Sequence, residues 1–344
     1  MNNYSTINDV AKALGISTTT VWRALNDKKD VSQKTKEKVL QKVKELNYHP
    51  SIAATSLHSN KTNLIGFISP FAYQNFDEVL VRINNKLFEK GYSLVLALSD
   101  NYVQKEIELV NQMIQRRVDA LLLFRAGWLG DIKPGNEYDH LYRLQEMGIV
   151  TVAATIMGTD KIPSFACDEK MAGYLLTDHF IKKGKKNIGF LHWDFREYLS
   201  DEAFRLEGYK EALKNHGFLL NEKLISCVAL RYDLEGVDED KLYNYYTENK
   251  PDAIVCASSN QAIIYMNVLR KFGVNCPEDI GFAGVDYGVS NSLSYPTLTY
   301  ADTRVPDRID GAINYIFDVL EGKTKIENKN KYVFRPKLII GESS

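Results

Sequence analysis

Nine residues near the N-terminus, TTTVWRALN at 18–26, set Thr18, Thr19, Trp22, Arg23 and Asn26 on one side of a helix. Val21, Ala24 and Leu25 lie on the other side. The first set can hydrogen-bond and stack, which is what reading base edges in a DNA major groove requires. A second set stands just past the apolar runs further along. It comprises Phe71, Tyr73 and Phe76; Asp100; Arg125 with Trp128; His192, Trp193 and Asp194; Ser258, Ser259 and Asn260; and Asp286 with Tyr287. Rings that stack on sugar faces beside groups that pair with hydroxyls suit a carbohydrate pocket, provided the fold brings them together. No catalytic set accompanies them: GxGxxG after the first strand, GxxxxGKS/T and GxSxG are all missing. The six histidines lack metal-ligand spacing. Cys167, Cys227, Cys256 and Cys276 are far apart with no CxxC, so they read as reduced thiols, with no metal and no cofactor implied.

The elements that must hold the first set are legible upstream and downstream of it. Thr6 with Asp9 makes a capping-box-like start, Val10, Ala11 and Leu14 form an apolar stripe, and Gly15 stops the helix. Ser17 caps the next helix two residues later, with Ile16 and Val21 placed as a hydrophobic staple. So tight a turn predicts a helix-turn-helix. Ser32 caps a third helix whose Val39, Val43 and Leu46 close the small core, while Lys34, Lys36, Lys38, Lys42 and Lys44 face solvent or phosphate. After Pro50, the segment SIAATSLHSNKTN puts Ile52, Ala53, Ala54 and Leu57 on one side of a helix too short to stand alone.

From Leu64 the pattern alternates between strands and helices, and one phrase recurs. NLIGFISPF (63–71) is echoed by NIGFLHWDF (187–195), and VDALLLF by PDAIVCAS. Asn63 and Asn187 stand 124 residues apart, Gly91 and Gly217 126, and Asp119 and Asp252 133. The body therefore reads as two similar parallel-sheet subdomains, with ligands gathering at the carboxyl ends of the strands. The DRIDGAINYIFDVL helix is expected to cross back to the first half and the final strands to join the second.

The 344 residues exceed what one core buries, and 44% hydrophobic with 25% charged residues is a globular composition. The net charge of −1 conceals an asymmetry: residues 1–60 hold nine Lys/Arg against five Asp/Glu, net +4, leaving 34 against 39, net −5. A basic headpiece on an acidic body is expected where one end meets a polyanion. No apolar leader and no membrane-length apolar run is present, so a cytoplasmic protein with no membrane partner is expected.

TINDVAKALGIS, TTVWRALN, VSQKTKEKV, LNYHPSIAATSL, RRVDALLL, RLEGYKEAL, EDIGFAGVDY and RPKLIIGESS follow one another in an order and spacing that resembles the lactose-repressor (LacI/GalR) family of bacterial transcription regulators, end to end. The resemblance implies an N-terminal all-α helix-turn-helix headpiece with a hinge helix, followed by an α/β periplasmic-binding-protein-like core of two parallel-sheet subdomains. The expected limits are 1–50 for the headpiece, 51–61 for the hinge helix and linker, and 62–344 for the effector-binding and dimerisation core. Within the core, 62–164 plus 298–325 form the first subdomain and 165–297 plus 326–344 the second. The implied activity is repression of carbohydrate-metabolism genes by a homodimer on palindromic operator DNA, under control of a sugar or sugar-phosphate effector and without enzymatic activity. A solute-binding protein would not carry residues 5–58, and a modifying enzyme would need a phosphate loop or an acid–base pair in the cleft.

The candidate DNA contacts are Thr6, Ser17, Thr18, Thr19, Thr20, Trp22, Arg23, Asn26, Ser32, Thr35, Tyr48, Ala54 and Leu57. Leu57 matches the hinge leucine that wedges between base steps in the family. Trp22 stands where the family usually has a small residue, Ser51 where Asn is usual and Thr55 where a basic residue is common. The candidate effector contacts are Phe71, Tyr73, Asp100, Arg125, Trp193, Arg205, Tyr232, Ser258 and Asp286. Of these, Arg205 and Asp286 match family effector-binding positions and Tyr232 the place of a stacking aromatic. Ser258 and Ser259 stand where Asn-Asp is usual, and Ala154 and Thr155 where an Asp is frequent. Fewer carboxylates and an added Arg125 point to an anionic or less hydroxyl-dependent effector, with pairing of Arg125 to Asp100 or Asp131 an equal alternative.

Overall fold

The computed structural model describes residues 5–49, 61–70, 76–127, 129, 132–133, 135–155, 159–192, 201–227, 238–326 and 331–344. It divides into two compact units, Met1–Thr62 and Asn63–Ser344.

In the first unit, α1 (Ile7–Leu14) opens on the expected capping box. The Asp9 carboxylate accepts from the Thr6 amide at 2.7 Å, and the Thr6 hydroxyl accepts from the Asp9 amide at 3.4 Å. Gly15 ends it at φ 63°, a left-handed conformation that a side chain resists. Ser17 and Ser32 cap α2 (Thr18–Leu25) and α3 (Gln33–Glu45), accepting from the amides of Thr20 at 3.1 Å and Thr35 at 3.3 Å. Val10, Ala11, Val21, Ala24 and Val39 seal the core, with Leu14, Ile16, Leu25, Val43 and Leu46 packed around them.

The second unit holds two sheets of matching topology. The first contains β1 (Leu64–Ser69), β2 (Ser93–Leu98), β3 (Ala120–Leu123), β4 (Val150–Ala153), β5 (Ser164–Cys167) and β11 (Lys331–Phe334), in the order β11-β5-β4-β3-β1-β2. The second contains β6 (Ile188–His192), β7 (Ile225–Cys227), β8 (Ala253–Cys256), β9 (Gly281–Val285), β10 (Thr299–Asp302) and β12 (Lys337–Ile339), in the order β12-β10-β9-β8-β6-β7. All neighbours run parallel except β12, which lies antiparallel to β10. The sequence repeat is a structural repeat. The Asp119 carboxylate takes the Asn63 amide at 2.8 Å, and the Asp252 carboxylate takes the Asn187 amide at 3.0 Å, each joining the first strand of its sheet to the third.

Helices α4 (Phe76–Glu89), α5 (Val103–Gln115), α6 (Asp139–Glu146) and α12 (Val305–Leu320) serve the first sheet. Ile309, Ala312, Ile313 and Ile316 of α12 pack among Phe67, Leu122 and Val152, as expected for the helix that crosses back. Helices α7 (Glu169–Lys182), α8 (Asp201–Asn215), α9 (Glu239–Asn249) and α10 (Ser259–Lys271) serve the second sheet, with the short α11 (Ser290–Leu293) after β9.

Three boundaries differ from the sequence reading. β5 and β11 pair in the first sheet and β10 in the second, so 164–167 and 331–334 belong with the first half and 299–302 with the second. Of the final strands, only β12 joins the second sheet. Alternation in a short strand tells which face is buried, not which sheet it joins.

Candidate nucleic-acid interface and effector cleft

In the first unit, Thr19, Arg23 and Asn26 are exposed on α2, and Thr18, Thr20 and Trp22 are half-buried beside them. One face therefore stays open while Val21 and Ala24 hold the helix to α1 and α3. Asn26 bends back, donating from Nδ2 to the Trp22 carbonyl at 2.9 Å. The N-termini of α2 and α3 present capping hydroxyls on Ser17 and Ser32, each within hydrogen-bond distance of a threonine hydroxyl: Thr20 at 2.9 Å and Thr35 at 2.8 Å. Helix N-termini carry partial positive charge and unpaired amides, which suit phosphate. Tyr48 departs from its expected place. It is 6% exposed and packs in the headpiece core, because the turn after α3 folds it inward. Ala54 and Leu57 lie outside the described residues.

In the second unit, the residues past β8 and β9 meet the starts of α7 and α8. Gly173 and Gly208 bring these helices backbone to backbone. A Cβ on either would fall 1.9 Å from a carbonyl oxygen of the other helix, that of Arg205 or Lys170. The close approach sets Glu169 beside Arg205. The arginine, 6% exposed, donates through Nε to Glu169 at 2.8 Å, through Nη1 to the Ala257 carbonyl at 2.6 Å and through Nη2 to Asp286 at 3.2 Å. Burial works against its charge, but Glu169, Asp286 and Asp201 outweigh that and hold the guanidinium protonated. Burial raises the Asp286 carboxyl to about 6; Arg205 opposes this, and Glu169 and Asp201 reinforce it. The Asp286 side chain keeps 43% of its surface open, so water reaching it through the cleft lessens that penalty. Asp201 is raised as well, chiefly by burial and by Glu169, and is lowered by Arg205, Arg308 and Arg125. Replacing Gly173 by Ala should overpack this helix pair, cost about 1–3 kcal/mol and displace Arg205. Thermal melting would show the loss, and an unchanged melting temperature would refute the close packing.

Arg125 comes from the first half. Its charge is among those that lower the Asp201 carboxyl of the second half. Its Nη1 donates to the Tyr138 hydroxyl at 3.0 Å and its Nε to the Ala126 carbonyl at 3.1 Å. Asp100 is exposed and bonds Lys105. Glu106, 1% exposed, fixes the Arg125 loop by accepting from the Ala126 amide at 2.7 Å while pairing with His140 at 2.8 Å. Ser258 is the capping residue of α10 and exchanges hydrogen bonds with Gln261. Phe76 belongs to the core, stacked on Phe67 at 6.1 Å. The Tyr287 hydroxyl donates to Glu78 of α4 at 3.0 Å, joining the two halves. Phe71, Tyr73, Trp128, Asp131, Trp193, Asp194 and Tyr232 lie outside the described residues.

Sequence reasoning passed over Glu169, Asp201 and Arg308. Arg308 donates to the carbonyls of Phe165 at 3.2 Å, Thr303 and Ala154, tying α12 to the strands beside the crossings. The glycines of KMAGYLL and RLEGYKEAL were the available signal for the helix contact.

A helix-turn-helix unit followed by a core of two matching parallel sheets is the architecture of a DNA-binding regulator. Residues 6–51 match the model of bacterial regulatory proteins of the lacI family, and 177–344 that of the periplasmic binding protein-like domain. The HTH-type transcriptional repressor PurR of Photobacterium profundum is 30% identical over 98% of both chains, and catabolite control protein A of Priestia megaterium is 30% identical over 86% of both. Among solved structures, a lac repressor dimer bound to operator and the anti-inducer ONPF aligns over 99% of both chains with a TM-score of 0.81 at 20% identity. A complex of the transcriptional regulator CelR with cellobiose aligns over 99% of this chain and 100% of its own, with a TM-score of 0.68 at 22% identity. The chain belongs to the lacI family of bacterial regulatory proteins and is a DNA-binding transcriptional regulator rather than an enzyme. No helix among the described residues is long and apolar enough to cross a membrane.

Proposed function

We propose that the protein is a cytoplasmic, homodimeric repressor of carbohydrate-metabolism genes, controlled by a neutral sugar bound between the halves of its core. The observation that carries this is the Arg205–Glu169–Asp286 constellation, in which the open group is a carboxylate. A carboxylate accepts from hydroxyl protons, the recognition a polyhydroxyl ligand needs. The guanidinium groups of Arg125, Arg205 and Arg308 already have protein partners. That favours a neutral sugar over the sugar phosphate that Arg125 brought to mind from sequence. The cellobiose complex of CelR adds to this reading. Ligand-driven opening or closing of the cleft would alter how two subdomain pairs meet, and hence whether two headpieces reach half-sites together. Gel shifts on the protein's own upstream DNA, with and without neutral sugars and their phosphates, test it. A phosphate that acts where its parent sugar does not would overturn the neutral-sugar reading.

Dimerisation is supported by apolar residues open to solvent on one face. Val81 (59% exposed) and Phe88 (79%) stand seven residues apart on α4, beside Leu96 of the edge strand β2. Phe88→Glu is expected to shift the protein to monomer in analytical ultracentrifugation and to weaken operator binding in parallel, without lowering the core's melting temperature. A dimer that persists at the wild-type concentration would place the interface elsewhere.

A further inference from the structure

The loop after the recognition helix is more heavily charged than its length requires: Asn26, Asp27, Lys28, Lys29 and Asp30 follow one another. It is folded back on α2. The Lys28 amide donates to the Arg23 carbonyl at 3.0 Å, the Lys28 ammonium sits 5.8 Å from the Trp22 ring centre, and Asp27 is tied to Lys36 of α3 at 2.5 Å. This places Asp30 where its carboxylate meets Nη1 of Arg23 at 3.1 Å, with the two side chains 55% and 50% exposed.

An exposed ion pair of this kind adds little to stability, so fold support does not explain it. Its consequence is directional. A guanidinium is a rigid planar fork with five donors, and a carboxylate on Nη1 leaves the Nε and Nη2 edge as a parallel pair of donors. That edge matches the two acceptors, O6 and N7, that guanine presents in the major groove. The carboxylate also offsets the arginine's charge, so the side chain gains less from dropping onto the nearest phosphate. A negative charge beside the groove weakens binding to all DNA alike, whereas the preset edge favours one base.

We propose that Asp30 is a specificity-determining residue: by holding one end of the Arg23 guanidinium it trades general affinity for discrimination at a single base pair of each half-site. The proposal rests on the reading that α2 enters the major groove. It does not require Asp30 to touch DNA.

The test uses the full-length chain, a duplex selected by the wild-type protein from a random pool, every single-base variant of it, and an unrelated duplex. Asp30→Asn is expected to bind the unrelated duplex several-fold more tightly. Its log–log salt dependence there should steepen by about one unit per protomer, since one opposing charge is gone. The ratio of selected to unrelated affinity should fall by about tenfold or more, with the lost discrimination confined to one position per half-site. Asp30→Glu should retain most of the ratio. In an Arg23→Ala background, Asp30→Asn should no longer change discrimination at that position. If Asp30→Asn alters all duplexes by one factor, or acts equally with and without Arg23, the assignment is overturned. If Arg23→Ala alone discriminates like wild type, the fault lies instead in the docking of α2.

Discussion

Arg23→Ala is expected to abolish sequence-specific DNA binding while leaving the headpiece folded. The side chain leaves α2 on the open face, is half exposed and forms an ion pair with an equally open Asp30. Losing a surface pair costs at most about 1 kcal/mol, so the melting temperature should hardly move. Recognition is another matter. A bidentate arginine–guanine pair contributes about 1–3 kcal/mol of discrimination. On a palindromic site a dimer loses it twice, so about 2–6 kcal/mol, a loss of at least roughly thirtyfold, is expected. Binding to unrelated DNA, which is mostly phosphate electrostatics, should fall only modestly. Titration of both duplexes at two salt concentrations checks this, and operator binding at wild-type strength would show that α2 docks by another face. Trp22→Ser is the companion measurement. Trp22 is half-buried, so a change in sequence preference without loss of melting temperature is expected, and a large fall would move the ring into the core.

Much of the architecture was legible because local chemistry dictates it. Thr6 with Asp9, Gly15, Ser17 and Ser32 are capping signals whose spacing fixes three helices, and the apolar stripes between them name the core. The recurring Asn…Asp phrase located two equivalent sheets, and the structure supplies its reason: each aspartate clamps the amide before its sheet's first strand. What escaped were features created by distant approach. Tyr48, a candidate DNA contact from sequence, packs in the headpiece core because the turn after α3 folds it inward. Glu169 and Arg205, 36 residues apart, meet only because Gly173 and Gly208 let two helices touch. For Arg125 the sequence offers an anionic effector or an aspartate as partner, and misses Tyr138, thirteen residues on, across a loop that the sequence does not orient. The exchange of β10 and β11 between sheets is decided by strand pairing, which periodicity does not encode.

Arg205→Ala and Asp286→Asn are expected to separate the structural from the ligand-binding half of the cleft. From the sequence alone, replacing either residue by Ala is expected to leave effector-free DNA binding nearly unchanged and to remove the effector response. The geometry changes that for Arg205. Its removal leaves Glu169, 2% exposed, as a buried carboxylate without its cation, a loss of about 3–5 kcal/mol by comparison with other broken buried pairs. Asp286→Asn should keep an oxygen for Arg205 Nη2 to donate to while replacing an acceptor-only group by one that also donates. Effector affinity should then fall by about 1–3 kcal/mol with DNA binding in the effector-free state intact. The pH dependence supplies an independent check. The folded carboxyl titrates near 6 against an ordinary 3.8, so between those values the folded state binds more protons than the unfolded one. Stability should therefore decline as pH rises from about 4 to about 6, where Asp286 must ionise in its cleft. Asp286→Asn removes that decline, so the variant should match wild type near pH 4 and exceed it in melting temperature at pH 7. A variant less stable than wild type at pH 7, or one that still answers the effector at the wild-type concentration, would show that Asp286 holds the fold rather than the ligand.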